Sequence, residues 1–175
     1  MNMKKKTLGL IINPIAGLGG RVGLKGSDGA EIQEKALALG AVPQSLDRAI
    51  QALERIKSVE TLEIITYSDE MGENAAKACG FRTTIVGSIK SGETSAEDTG
   101  NAAQDMSRLK VDLLLFAGGD GTARDIYNAV GTGLPALGIP AGVKIHSGVF
   151  ATNPGGAGEL AALYLQDRVT SLREA

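Results

Sequence analysis

The sequence predicts an α/β fold in three layers, a parallel sheet covered by helices on both faces. Three observations carry that prediction. Short apolar runs of strand character alternate with amphipathic helical segments, and strands that alternate with helices build parallel sheets. One apolar run leads directly into Gly118-Gly119-Asp120-Gly121-Thr122 and then into helical sequence. The 175 residues, 43% hydrophobic and 22% charged, suit one globular domain with a sizeable core.

Thr7 to Ile12 is apolar with β-branched content and reads as the first strand. Asn13-Pro14-Ile15-Ala16-Gly17-Leu18-Gly19-Gly20 follows as a glycine-rich loop. It runs on through Gly23, Gly26 and Gly29, and connections of that length are usually functional. Ala30 to Leu39 is a short helix, and Ser45 to Ser58 a clearer one, with Leu46, Ile50, Leu53 and Ile56 at helical spacing. Leu62 to Thr66 is the second strand. Ser68 or Asp69 caps the next helix, which runs to Cys79 and stops at Gly80. Arg82 to Val86 is the third strand. Ser95-Ala96-Glu97-Asp98 opens a helix to Leu109, with acidic residues where the helix dipole favours them.

Val111 to Phe116 is the fourth strand, and the helix after the glycine turn ends near Gly131. Pro135 to Ile139 is the fifth strand, and Gly155 to Gln166 holds the final helix. The whole is a Rossmann-like arrangement. In such sheets ligands sit beyond the carboxyl ends of the strands. If the first, fourth and fifth strands are neighbours, Asn13, Asp120 and the Pro140-Ala141-Gly142 turn converge on one crevice.

Composition removes several function classes. The net charge of −2 provides no basic footprint for nucleic acid. Aromatics at 3%, with no Trp, offer no stacking platform for single strands. Lys4-Lys5-Lys6 before Leu8 to Ile12 weakly resembles a signal-peptide start, but Asn13-Pro14 cuts the apolar run short. No stretch approaches the ~20 apolar residues of a membrane span, so a cytoplasmic protein without membrane partners is expected. The single cysteine, Cys79, reads as a small buried hydrophobe at a helix end. No His/Cys cluster has zinc-site spacing.

The glycine turn carries the chemistry. Its glycines let the backbone approach an anion, and the first N–H groups of the following helix have no internal partner and point at it. Asp120, in the middle of the turn, has two readings. It accepts the proton of an attacking hydroxyl or holds Mg²⁺ beside phosphates, or it merely satisfies turn amides. Thr122 donates to a phosphate, caps the helix, or does both. Asn13 bonds a base or ribose, or simply ends a strand before Pro14. Arg21, Lys25 and Arg124 are candidate phosphate cations, and otherwise solvated surface. Lys144 and His146 follow the rigid Gly138-Ile139-Pro140-Ala141-Gly142-Val143-Lys144 loop and are further candidates. Thr94, Asp98 and Thr99 cap a helix or line the cleft. The motif is neither a Walker A loop, which needs a Lys-Ser/Thr pair, nor the dinucleotide GxGxxG.

Gly118-Gly119-Asp120-Gly121-Thr122 resembles the signature shared by NAD kinases, diacylglycerol-kinase-like lipid kinases and, in variant form, phosphofructokinases. Four further stretches are similar to the ATP-NAD kinase-like branch that includes the AcoX-type proteins of acetoin catabolism. They are Ile11 to Gly20, Ser95 to Thr99, Gly121 to Asp125 and Gly138 to Lys144. The resemblance implies a two-domain kinase whose N-terminal α/β half is this chain, with a β-rich half, which pairs subunits into a homo-oligomer, lying beyond Ala175. It implies ATP (or polyphosphate), NAD and Mg²⁺ as the small-molecule partners. Asp120 would activate the 2′-hydroxyl of the NAD ribose. Gly118, Gly119, Gly121 and Thr122 would cradle phosphate; Asn13 and Arg124 are the further binding candidates read from the residues themselves. A non-catalytic nucleotide-binding accessory protein and a lipid kinase are the alternatives.

Overall fold

The computed structural model describes residues 3–18, 30–40, 42–142 and 144–174. Its centre is a five-stranded, all-parallel sheet in the order β3-β2-β1-β4-β5. The strands are β1 (Lys6–Ile12), β2 (Leu62–Tyr67), β3 (Arg82–Gly87), β4 (Leu113–Gly118) and β5 (Ala136–Pro140). The helices are α1 (Ala30–Ala38), α2 (Ser45–Ile56), α3 (Glu73–Ala78), α4 (Ala96–Arg108), α5 (Asp120–Val130) and α6 (Pro154–Leu165). The three-layer, Rossmann-like reading of the sequence therefore holds.

Alternation along the strands divides the core. Leu8, Leu10 and Ile12 of β1 and Leu113, Leu115 and Ala117 of β4 face α2, α3 and α6. Ile11, Leu114 and Phe116 face α4 and α5 through Ala102, Ala103, Met106 and Ile126. β1 and β4 are buried along almost their whole length, as central strands of a parallel sheet must be. Small residues set the close approach of α2 to α6: a Cβ on Gly158 would overlap the Ala52 carbonyl.

Most element boundaries differ from the sequence reading by a residue or two, and the larger departures have tertiary reasons. The helix expected from Ser68 or Asp69 to Cys79 is instead a 3₁₀ turn, Asp69–Met71, followed by α3. Gly72 breaks it at φ +156, where the chain passes so close to Thr66 that a Cβ would strike its hydroxyl. That hydroxyl in turn donates to the Leu10 carbonyl across the sheet, at 2.7 Å. β4 begins at Leu113 and runs into the glycine signature, because Gly118 is still in register with Pro140 of β5. Asp120 is consequently the first residue of α5, not the middle of a turn. In α2 the buried stripe is Ala49, Ala52, Leu53 and Ile56, while Leu46 is exposed.

Candidate functional site

The sheet order places the topological switch point between β1 and β4. The chain leaves β1 toward α2 on one face and leaves β4 into α5 on the other. Loops diverge at such a point and leave a crevice. The expected neighbours are neighbours: β1 pairs with β4, and β4 with β5. The ladders continue past the strands, with Asn13 N donating to Ala117 O at 2.9 Å and Ala141 N to Gly118 O at 2.9 Å. Asn13, the glycine turn and the loop after Pro140 therefore meet at one end of the sheet.

Within that cluster Asn13 is held twice. Its Oδ1 accepts from Ile15 N at 3.2 Å, and its Nδ2 donates to Thr122 Oγ1 at 3.0 Å. Thr122 is buried beneath the turn, and a Cβ on Gly118 would overlap its side chain. Thr122 is not the helix cap. Gly119 occupies that position and makes no side-chain cap bond. The first intrahelical bond runs from Ala123 N to Gly119 O, so the amides of Asp120, Gly121 and Thr122 have no intrahelical partner. Beside Gly119 there is open space, with nothing within 4 Å of an added Cβ. Free amides beside open space at the N-terminus of an eleven-residue helix can take an anion.

Asp120 is half-buried. Its two carboxylate oxygens accept from His146 N at 2.9 Å and Ser147 N at 3.1 Å. Ser147 Oγ accepts from Val149 N at 3.4 Å, which folds the loop back onto itself. His146 thus meets Asp120 through its backbone, and its side chain is exposed. These two amides were invisible in the sequence, since they lie 26 and 27 residues from Asp120. The rigid Pro140-Ala141-Gly142 turn was the signal that pointed toward them.

A cavity of about 800 Å³ opens beside Asp120, between α5 and the segment entering β5. Phe116, Ile126, Leu134 and Val149 supply apolar lining, and Asp120, Arg124, Arg173 and Glu174 its charged groups. Asn13, Gly118, Gly119 and Thr122 lie outside it. Asp120 therefore belongs both to the helix terminus and to the cavity wall. Lys144 is exposed, while Arg21 and Lys25 lie outside the described residues. Ser95 and Asp98 cap each other at the start of α4, and Thr99 is buried in that helix. Cys79 is buried at the end of α3, where burial pushes its thiol up to about 11.

Among the described residues, no group of three His, Cys, Asp or Glu side chains could hold a metal ion. Mg²⁺ commonly binds through one or two carboxylates together with substrate phosphates, and a lone Asp120 beside an anion site fits that pattern. No described helix is long and apolar enough to cross a membrane.

The sheet order and the switch-point crevice define a doubly wound α/β domain. The chain belongs to the ATP-NAD kinase N-terminal domain family, whose model matches residues 8–169. No curated protein matches it significantly. Among solved structures it is similar to a provisionally assigned diacylglycerol kinase from Bacillus anthracis str. Sterne, with 19% identity and a TM-score of 0.44. That similarity covers 93% of this chain and 43% of the other, so the chain spans less than half of that protein's length.

Proposed function

We propose that this chain is the N-terminal, phosphate-binding half of a kinase that transfers a phosphoryl group from ATP, or polyphosphate, to the 2′-hydroxyl of NAD. Family membership supports the reaction class. The observation that carries the residue assignment is the position of Asp120. Its carboxylate stands at the first residue of α5, next to unpaired helix amides on one side and an open cavity on the other. The amides of Asp120, Gly121 and Thr122 hold the donor's phosphate oxygens, and the gap at Gly119 admits them. The acceptor occupies the cavity, its alcohol toward Asp120 and its own phosphates toward Arg124. The amides of His146 and Ser147 fix the carboxylate, which takes the alcohol's proton as the new O–P bond forms and the donor's terminal P–O bond breaks, releasing ADP or the shortened polyphosphate. Asp120 would be the protein's ligand to Mg²⁺, which would supply charge neutralisation for the transferred group.

The full-length protein incubated with ATP, Mg²⁺ and NAD should form NADP. Asp120→Asn should cut turnover by roughly two to four orders of magnitude while sparing nucleotide binding. Absence of product from folded protein, with several phosphoryl donors tried, sinks the reading. One observation favours a second one: both oxygens of Asp120 are already engaged by backbone amides, as in a purely structural anchor. In that case the protein binds nucleotide without turnover, and Asp120→Asn loosens the loop at His146 instead of silencing catalysis. Diacylglycerol belongs in the same acceptor panel, because the cavity lining is largely apolar.

A further inference from the structure

We propose that the cavity beside Asp120 holds a base subsite, where Tyr127 stacks on a flat heteroaromatic ring and the free edge of Ala136 hydrogen-bonds it. The ligand class is a ring that presents a hydrogen-bond donor and acceptor side by side, as adenine and a ring carboxamide both do. Tyr127 and Ala136 line the same cavity as Asp120 and Arg124. Of the three Tyr and three Phe, Tyr127 alone is exposed, at 58%. Its ring therefore serves no core and is open to a ligand's flat face. One such ring suffices for one base.

The second half of the subsite is a peptide group. β5 is an edge strand of the sheet. Leu114 N donates to Pro135 O at 2.8 Å and Ala141 N to Gly118 O at 2.9 Å, so Pro135, Leu137, Ile139 and Ala141 turn their peptide groups toward β4. Gly138 turns outward instead, its N donating to Val149 O at 2.9 Å and its O accepting from Ala151 N at 3.0 Å. Ala136, two residues earlier, has the same outward sense. Neither its N–H nor its C=O has a backbone partner among the described residues. Ala136 is half-buried in the cavity wall. A half-buried donor and acceptor left open on one strand edge mark the place of a partner.

Spacing gives the subsite its use. Asp120, Arg124 and Tyr127 follow one another along the side of α5 that lines the cavity. The seven residues from Asp120 to Tyr127 rise about 10 Å. A nucleoside whose sugar hydroxyl meets Asp120 reaches Tyr127 with its base, and Arg124 stands between the two. Arg173 and Glu174, from the segment after α6, also line the cavity; both are exposed, and their opposite charges offset each other. A cavity of about 800 Å³ is ample for such a ligand. Only the naming of the ring as part of the phosphoryl acceptor rests on the reading above.

The test is amide-resolved NMR of the 175-residue chain, titrated separately with adenosine and with nicotinamide, neither of which carries a phosphate. Saturable shifts at Tyr127 and Ala136 are expected, with slowed exchange of the Ala136 amide. Purine riboside and 3-acetylpyridine, which lack the amine of each probe, should bind severalfold more weakly. Tyr127→Leu should weaken binding by about threefold to tenfold, and Tyr127→Phe should retain most of it. A response to adenosine supports the subsite with adenine as the source, and a response to nicotinamide alone supports it with the carboxamide ring as the source. No response, shifts that spare Ala136, controls that bind as tightly as their parents, or unchanged binding by Tyr127→Leu each overturn the inference. So does an Ala136 amide protected before any ligand is added, because another part of the chain then pairs with that edge. NADP formation without shifts at Ala136 overturns the subsite and leaves the kinase reading standing. Ring binding without NADP formation does the reverse.

Discussion

Asn13 and Thr122 are 109 residues apart in sequence, yet the Asn13 side-chain amide donates to the Thr122 hydroxyl at 3.0 Å. The bond spans the switch point, from the end of β1 to the first turn of α5. It fixes the distance between the two loops that line the crevice. Because Asn13 Oδ1 already accepts from Ile15 N, the amide can face Thr122 only with its NH₂ group.

Removing either partner should loosen the crevice. Asn13→Ala or Thr122→Ala is expected to cost about 0.5–1.5 kcal/mol of stability. A double-mutant cycle by urea denaturation should return a coupling of at least about 0.5 kcal/mol. Additive single effects would show that the two loops are held independently.

The adjacent glycines should respond in opposite ways. Gly118→Ala puts a Cβ into the Thr122 side chain and should cost about 1–3 kcal/mol, read as a lowered unfolding midpoint. Gly119 has an ordinary φ of −122 and empty space around its missing Cβ. Gly119→Ala should leave stability within about 0.5 kcal/mol and weaken ATP binding, measured by calorimetry. Equal stability losses would disprove the distinction.

Gly17 ties the loop after β1 to the loop after β5. It sits at φ +79, and a Cβ there would overlap the Ala141 carbonyl oxygen. Gly17→Ala is therefore strained in both backbone and packing, and a loss of about 1–3 kcal/mol is expected. Hydrogen exchange should quicken at Ala141, whose amide bonds Gly118 O, and a protection pattern identical to the parent's would argue against the coupling.

The Cys79 thiol is raised to about 11, with burial the largest cause and its hydrogen bond with Glu54 the next. A buried, protonated thiol is a poor nucleophile. Alkylation by iodoacetamide at pH 8 should be at least about a hundredfold slower in the native chain than in urea. The sign of the linkage follows from the raised value. The stabilising contribution is complete below the ordinary cysteine range and is lost as pH climbs toward 11. A denaturation midpoint that does not fall over that interval would contradict it.

Much of the fold was legible in sequence because it depends on local pattern. Val111 to Phe116 is too apolar to be anything but buried, and Gly118 to Thr122 allows close approach wherever it lies. The helix opened by Ser95 to Asp98 is equally local, and it forms where it was read, closed by a capping box between those two residues. The misread boundaries share a different cause. Gly72 breaks a helix because of Thr66 and Leu10, which belong to neighbouring strands. Leu46 kept helical spacing but faces solvent, because α6 packs on the alanines beside it.

The chain's own order of strands, turns and helices determined an α/β sheet with a glycine-rich bend before α5, since backbone propensity and hydrophobic period act over a few residues. Tertiary structure alone decided that β1 lies between β2 and β4, that His146 and Ser147 grip Asp120, and that Arg48 reaches Pro140. Those contacts join backbone and side-chain groups separated by 26 to 92 residues, and only packing the helices onto both faces of the sheet brings them within bonding distance.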